Sequence, residues 1–314
     1  GVIIHEVGHN YFPMIINSDE RQWTWMDEGL NTFLQYLTEQ EFERNFPSRR
    51  GPAYKITNYM KGDQSKISPI MTNSESIFQF GNNAYGKPAT ALNILRETIM
   101  GRELFDYSFK TYAKRWAFKH PTPADFFRTM EDASGVDLDW FWRGWFYTTD
   151  YVDISMDNVK WLQIDTRNPN VEKAILKKSK MDEDDSFIGN IRNKTEIETT
   201  YNERDKSLND FYTSYDEFEV TERDKKKYKE FTKDLSDEQK AQMAANYNFY
   251  EITFTNKGGL VMPIILQFEY KDGTKERVYI PAEIWKMTAE GGANQSVTKV
   301  FMKEKEVSNI TLDP

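Results

Sequence analysis

The feature that most constrains this chain lies in its first ten residues: His5-Glu6-Val7-Gly8-His9. On a helix, positions i and i+4 share one face, so both imidazoles can reach a single ion. Glu6 stands beside that face, where it can reach a water held by the ion without ligating it. Zinc suits such a set, because it accepts imidazole nitrogen and carboxylate oxygen and keeps one position open in catalytic sites. The same five residues also arise as two histidines and a glutamate on an exposed helix face. The motif follows Gly1-Val-Ile-Ile directly, with no initiating Met, no cap residue and no charged or apolar leader. The expectation is the C-terminal part of a longer protein, with any targeting segment upstream.

Composition removes several function classes. The 314 residues carry 41 Lys+Arg against 50 Asp+Glu, a net charge of -9, which argues against nucleic acid as a partner. With no Cys, a disulfide framework, a thiolate-ligated metal and a thiol nucleophile are all excluded. No run approaches the roughly 18 apolar residues of a membrane-spanning helix. Compartment stays open between cell envelope or periplasm and cytoplasm, and so does oligomeric state.

Two regions differ in periodicity. Residues 1–150 read as helical. Leu30, Phe33, Leu34 and Leu37 form an i, i+3, i+4, i+7 stripe in a helix expected from Met26 to about Phe46, with Pro47 ending it. Further helices are expected over 84–100, 104–117, 122–133 and 138–146, the third opening on Thr122-Pro-Ala-Asp. Residues 151–314 read as a small β-sandwich with a polar insertion at about 165–247. Strands are expected over 151–164, 249–255, 260–270, 277–281, 297–302 and 307–312, with Asn256-Lys-Gly-Gly and Lys271-Asp-Gly as hairpin-type turns. The charge runs Met181-Asp-Glu-Asp-Asp and Glu222-Arg-Asp-Lys-Lys-Lys read as solvated surface. Ser236, Asp237 and Glu238 form a cap and first turn.

Eighteen residues separate His9 from Glu28, which sits in Trp25-Met-Asp-Glu-Gly-Leu. The pattern H-E-x-x-H-x18-E resembles that of the gluzincin metallopeptidases, and its setting resembles the M1 aminopeptidase family. That family typically has Asn-Glu-Gly before a long helix; here Asp27 replaces the Asn. The resemblance implies Glu28 as third metal ligand. On its own, Glu28 would read as a carboxylate placed by the helix dipole. The family also carries a tyrosine in a Tyr-x-Lys segment, matched by Tyr85-Gly-Lys87 some eighty residues past His5. The resemblance implies that Tyr85 donates to the oxyanion of the reaction; a tyrosine packed at a helix start is the plainer alternative. His120-Pro-Thr-Pro and Glu131 to Trp145 look like the closing helices of the family's catalytic domain. His120 reads as a loop or capping residue, since it lacks ligand spacing to the other two histidines. Residues 309–314 resemble the last strand of the family's small β-domain. The likeness covers about 1–150 well, 250–314 weakly, and the insertion not at all.

The implied fold is α+β and multidomain: the mostly helical C-terminal part of a thermolysin-like catalytic domain, then a β-sandwich with a charged, partly helical insertion. The implied cofactor is one Zn2+, held by His5, His9 and Glu28, with Glu6 as general base and Tyr85 on the oxyanion. The implied substrate is a peptide, losing its N-terminal amino acid. Two alternatives stand beside this. One is a thermolysin-like endopeptidase, because the family's amine-recognising Gly-x-Met-Glu-Asn segment is absent from these residues. The other is a non-catalytic protein-binding scaffold. Gln35, seven residues past Glu28, stands where many family members place a glutamate, so metal tuning is expected to differ.

Overall fold

The computed structural model describes residues 1–181, 187–245, 247–287 and 294–314. The chain opens on helix α1 (Val2–Gly8). The Leu30–Phe33–Leu37 stripe forms α2 (Glu28–Phe42), which is shorter than its periodicity suggests. Glu43 is already extended and Asn45 is left-handed at φ 64, so the helix stops well before Pro47. The chain then runs irregularly, with the single turn α3 (Thr57–Met60), to a continuous helical run of 81–99. Its regular centre is α4 (Lys87–Ile94); the turns on either side are wider, of π type. Helices α5 (Arg102–Trp116), α6 (Pro123–Ser134) and α7 (Asp139–Tyr147) close the helical part. At the start of α6 Thr122 is the cap read from the sequence, with Pro123 at the first helical position; the Asp125 carboxylate also accepts from the Thr122 backbone N–H at 2.8 Å, completing a capping box.

One aromatic core binds these helices together. Trp25 is fully buried, with ring centroids 4.8 Å from Phe146, 5.8 Å from Phe126 and 5.9 Å from Phe127. Edge-to-face and offset pairs at such spacings add to the burial of ring area itself. Because Trp25 lies three residues before Glu28, the core fixes where α2 begins.

Strand β1 (Ile154–Gln163) follows, then six short helices: α8 (Pro169–Met181), α9 (Ile188–Glu196), α10 (Tyr201–Arg204), α11 (Phe211–Ser214), α12 (Glu222–Lys233) and α13 (Asp237–Ala244). Ser236 caps α13 as expected, accepting from the Gln239 backbone N–H. The Glu222 run lies on α12, whose residues are mostly exposed, and Lys173 of α8 pairs with its Asp224 at 2.8 Å. The run after Met181 falls at 182–185, outside the described residues.

The remaining strands are β2 (Asn248–Asn256), β3 (Ile264–Tyr270), β4 (Lys275–Ile280), β5 (Gln295–Lys303) and β6 (Val307–Leu312). They form two antiparallel three-stranded sheets, β1-β2-β5 and β4-β3-β6. Tyr250, Ile252 and Phe254 of one sheet face Ile264, Leu266 and Phe268 of the other across a shared core. Lys271-Asp-Gly is a hairpin turn joining β3 to β4, with Gly273 at φ 81. Asn256-Lys-Gly-Gly is not: β2 and β3 belong to different sheets, and these residues carry the chain across. Gly258 is required there, since a Cβ would lie 2.1 Å from the Tyr151 carbonyl oxygen. The molecule is thus α+β: α1–α7 precede the sheets, and α8–α13 lie between β1 and β2. No helix among the described residues is long and apolar enough to cross a membrane.

Lys87 is fully buried, its Nζ donating to the Thr148 carbonyl oxygen at 3.2 Å. Burial pushes its pKa down from 10.5 to about 8, against the opposing pull of Asp150. Between those values the unfolded chain holds a proton that the folded chain has released. Stability therefore rises with pH across that window, and the burial penalty is full below about 8. Relative to Lys87→Met, the wild type should gain about 2 kcal/mol from pH 7 to 9.5 in denaturant unfolding. A pH-independent difference would contradict this.

Candidate metal centre

Helix α1 presents His5 and Glu6, and His9 follows at its C-terminal cap. Glycine at position 8 is a packing requirement: a Cβ there would stand 2.0 Å from Asn31 Oδ1. Asn31 Nδ2 in turn donates to the His5 carbonyl oxygen at 2.8 Å, tying α1 to α2. Gly29 does the same for the next layer, since its Cβ would lie 2.6 Å from the Pro88 ring. That close approach of α4 brings Tyr85 to Glu28.

The three expected ligands converge. One ligand atom from each of His5, His9 and Glu28 lies within 4.8 Å of the others. Nε2 of His5 is 3.0 Å from Glu28 Oε2, and Nε2 of His9 is 3.6 Å from the same oxygen. The far nitrogens are held by acceptors. His5 Nδ1 meets Gln35 Oε1 at 2.9 Å, and His9 Nδ1 meets the Phe12 carbonyl oxygen at 2.8 Å. A proton on each Nδ1 leaves both Nε2 lone pairs facing the carboxylate.

Two buried carboxylates back these side chains. Glu39 is 2% exposed and accepts from Gln35 Nε2 at 2.7 Å and from Ser48 Oγ at 2.5 Å. It orients the Gln35 amide so that oxygen, not nitrogen, faces His5. The charge expected at position 35 is thus carried one helical turn further on, an i, i+4 spacing that was visible in the sequence. Asp27 Oδ1 lies 3.0 Å from His9 Nδ1. Burial, then the neighbouring Glu28 charge, raises the Asp27 pKa to about 7, with His9 pulling the other way.

Tyr85 donates its hydroxyl to Glu28 Oε1 at 2.5 Å. Its pKa is raised, first by burial and then by that hydrogen bond. Glu6 is exposed and lines a cleft of about 540 Å³ together with His5, His9, Glu28 and Tyr85. His120 lies elsewhere, its Nδ1 2.8 Å from Asn17 Oδ1. Neither Glu39 nor Arg50 stood out in the sequence, Arg50 because an irregular segment carries no periodic signal; Lys87 stood there only as part of the Tyr-x-Lys match, without its burial.

Residues 1–145 match the sequence model of the family described as "Peptidase family M1 domain". Glutamyl aminopeptidase of Bos taurus is 27% identical over 165 residues, 51% of this chain and 17% of that protein. Probable aminopeptidase 1 of Sulfurisphaera tokodaii is 24% identical over 172 residues, 52% of this chain and 22% of that protein. The crystal structure of Legionella pneumophila aminopeptidase A in complex with aspartic acid gives a TM-score of 0.47 at 13% identity, covering 99% of this chain and 25% of that one. The aligned segment thus spans about a fifth of the length of these curated relatives.

Proposed function

We propose that this chain, whose residues 1–145 form a peptidase family M1 domain segment, carries the metal-holding part of a zinc peptidase that removes N-terminal amino acids from peptides. The observation that carries this reading is the convergence of His5, His9 and Glu28 within 4.8 Å, in one cleft with Glu6 and Tyr85. The donor set fits zinc: two imidazole nitrogens and one carboxylate oxygen, with both imidazoles held at Nδ1. The 3.0 and 3.6 Å gaps bracket the roughly 3.3 Å edge of a tetrahedron built on 2.0–2.1 Å bonds. When bound, zinc lowers the pKa of a water toward about 7 and polarises the scissile carbonyl.

The chain's own residues do the rest. Glu6 takes the proton of the attacking water and passes it to the leaving amine. Tyr85 offers its hydroxyl to the oxygen on which negative charge develops. Residues 151–314 serve as a β-sandwich domain with an insertion at about 165–247. The active protein should cleave a free-amine peptide and spare its N-acetylated twin, and a chelator should stop the cleavage. Equal cleavage of the twins would favour an endopeptidase; chelator-resistant cleavage would contradict the zinc reading.

A further inference from the structure

The cleft beside the histidines is lined by two arginines with no part in the chemistry above, Arg49 and Arg50. Their backbone is pinned on each side. Ser48 bonds the buried Glu39 at 2.5 Å. Gly51, at φ 114, lies so close to Tyr36 that a Cβ would stand 2.5 Å from its ring. Only glycine fits that conformation and that approach. The segment after α2 is therefore a fixed wall, and it delivers Arg50 to Tyr85.

The Arg50 guanidinium carbon sits 4.6 Å from the Tyr85 ring centroid. The guanidinium makes no ion pair or hydrogen bond with any described residue. Glu6 and Glu28, the carboxylates closest to the chemistry, leave it unpaired, although Glu28 bonds the same tyrosine. A guanidinium lying over a ring face keeps its in-plane N–H fork free, and that fork matches a carboxylate in shape and charge. The pairing is unfilled in a chain with nine more acidic than basic side chains.

We infer that Arg50, held over Tyr85 beside the His5–His9–Glu28 cluster, anchors a carboxylate of the peptide substrate. The carboxylate comes from an acidic side chain or from the C terminus of a short peptide. The inference rests on the peptidase reading and narrows its substrate class.

The test uses the zinc-supplied protein and tetrapeptides in matched pairs. Glu-Ala-Ala-Ala amide against Gln-Ala-Ala-Ala amide isolates a side-chain carboxylate. Gln-Ala-Ala-Ala as free acid against its amide isolates the terminal one. In at least one pair the acid should bind about tenfold tighter than its neutral twin. Arg50→Gln should bring that ratio to near one, and Arg50→Lys, which keeps the charge without the fork, should retain part of it. Ratios near one in both wild-type pairs, or a ratio that survives Arg50→Gln, would overturn the inference. Cleavage of neutral peptides without acid preference would overturn it and leave the peptidase reading standing. Acid-selective binding without cleavage would support the anchor and count against the peptidase reading.

Discussion

Glu6→Gln should keep zinc and lose turnover, by about 10²–10⁴ in kcat. The residue sits one position after His5 on α1, exposed in the cleft, and it is not part of the converging ligand set. An amide of the same size fills the same space and leaves the backbone of α1 unchanged. What it cannot do is accept a proton from water, and without that step the nucleophile forms slowly. Metal content and kcat measured on one preparation separate the roles. A variant that lost zinc and kept activity would make Glu6 a ligand and remove it as the base.

Tyr85→Phe should lower kcat by about 10²–10³ while zinc content holds. The substitution removes a single hydroxyl. The ring keeps its contacts with His5 at 5.8 Å, Phe80 at 6.1 Å and Arg50 at 4.6 Å, so the wall of the cleft stays in place. In this structure the hydroxyl rests on Glu28, and the same donor is the one available to a developing oxyanion. A donor that acts only as charge develops lowers kcat and kcat/KM together. Wild-type kcat in Tyr85→Phe would remove it from the reaction.

The converging residues of the candidate site were legible where spacing was local. His5 and His9 are one helical turn apart, so the sequence alone places them on one face. Glu28 and Tyr85 were reached through motif resemblance, because no local rule says that α4 returns to the start of α2. The structural reason lies in Gly29, whose lack of a side chain admits Pro88. The end of α2 was misread because its apolar stripe stops at Leu37 and the residues beyond it carry no breaker before Pro47. Tertiary contacts decide the matter: the chain must turn at Asn45 so that Ser48 reaches Glu39. Turn chemistry predicted a hairpin at Asn256-Lys-Gly-Gly, yet glycines also serve where backbones meet, as Gly258 does against Tyr151. The surroundings of Arg50 and Lys87 were invisible for a related reason. Their meaning comes from a ring and a carbonyl oxygen that are 35 and 61 residues away.

The most direct test of the central claim is zinc titration of the metal-free protein, with X-ray absorption at the zinc edge. One ion per chain is expected, in nitrogen and oxygen coordination with two imidazoles, and tight binding should be lost in both His9→Ala and Glu28→Ala. Failure to bind zinc, or zinc retained undiminished in both variants, would contradict the assignment of His5, His9 and Glu28 as the metal site.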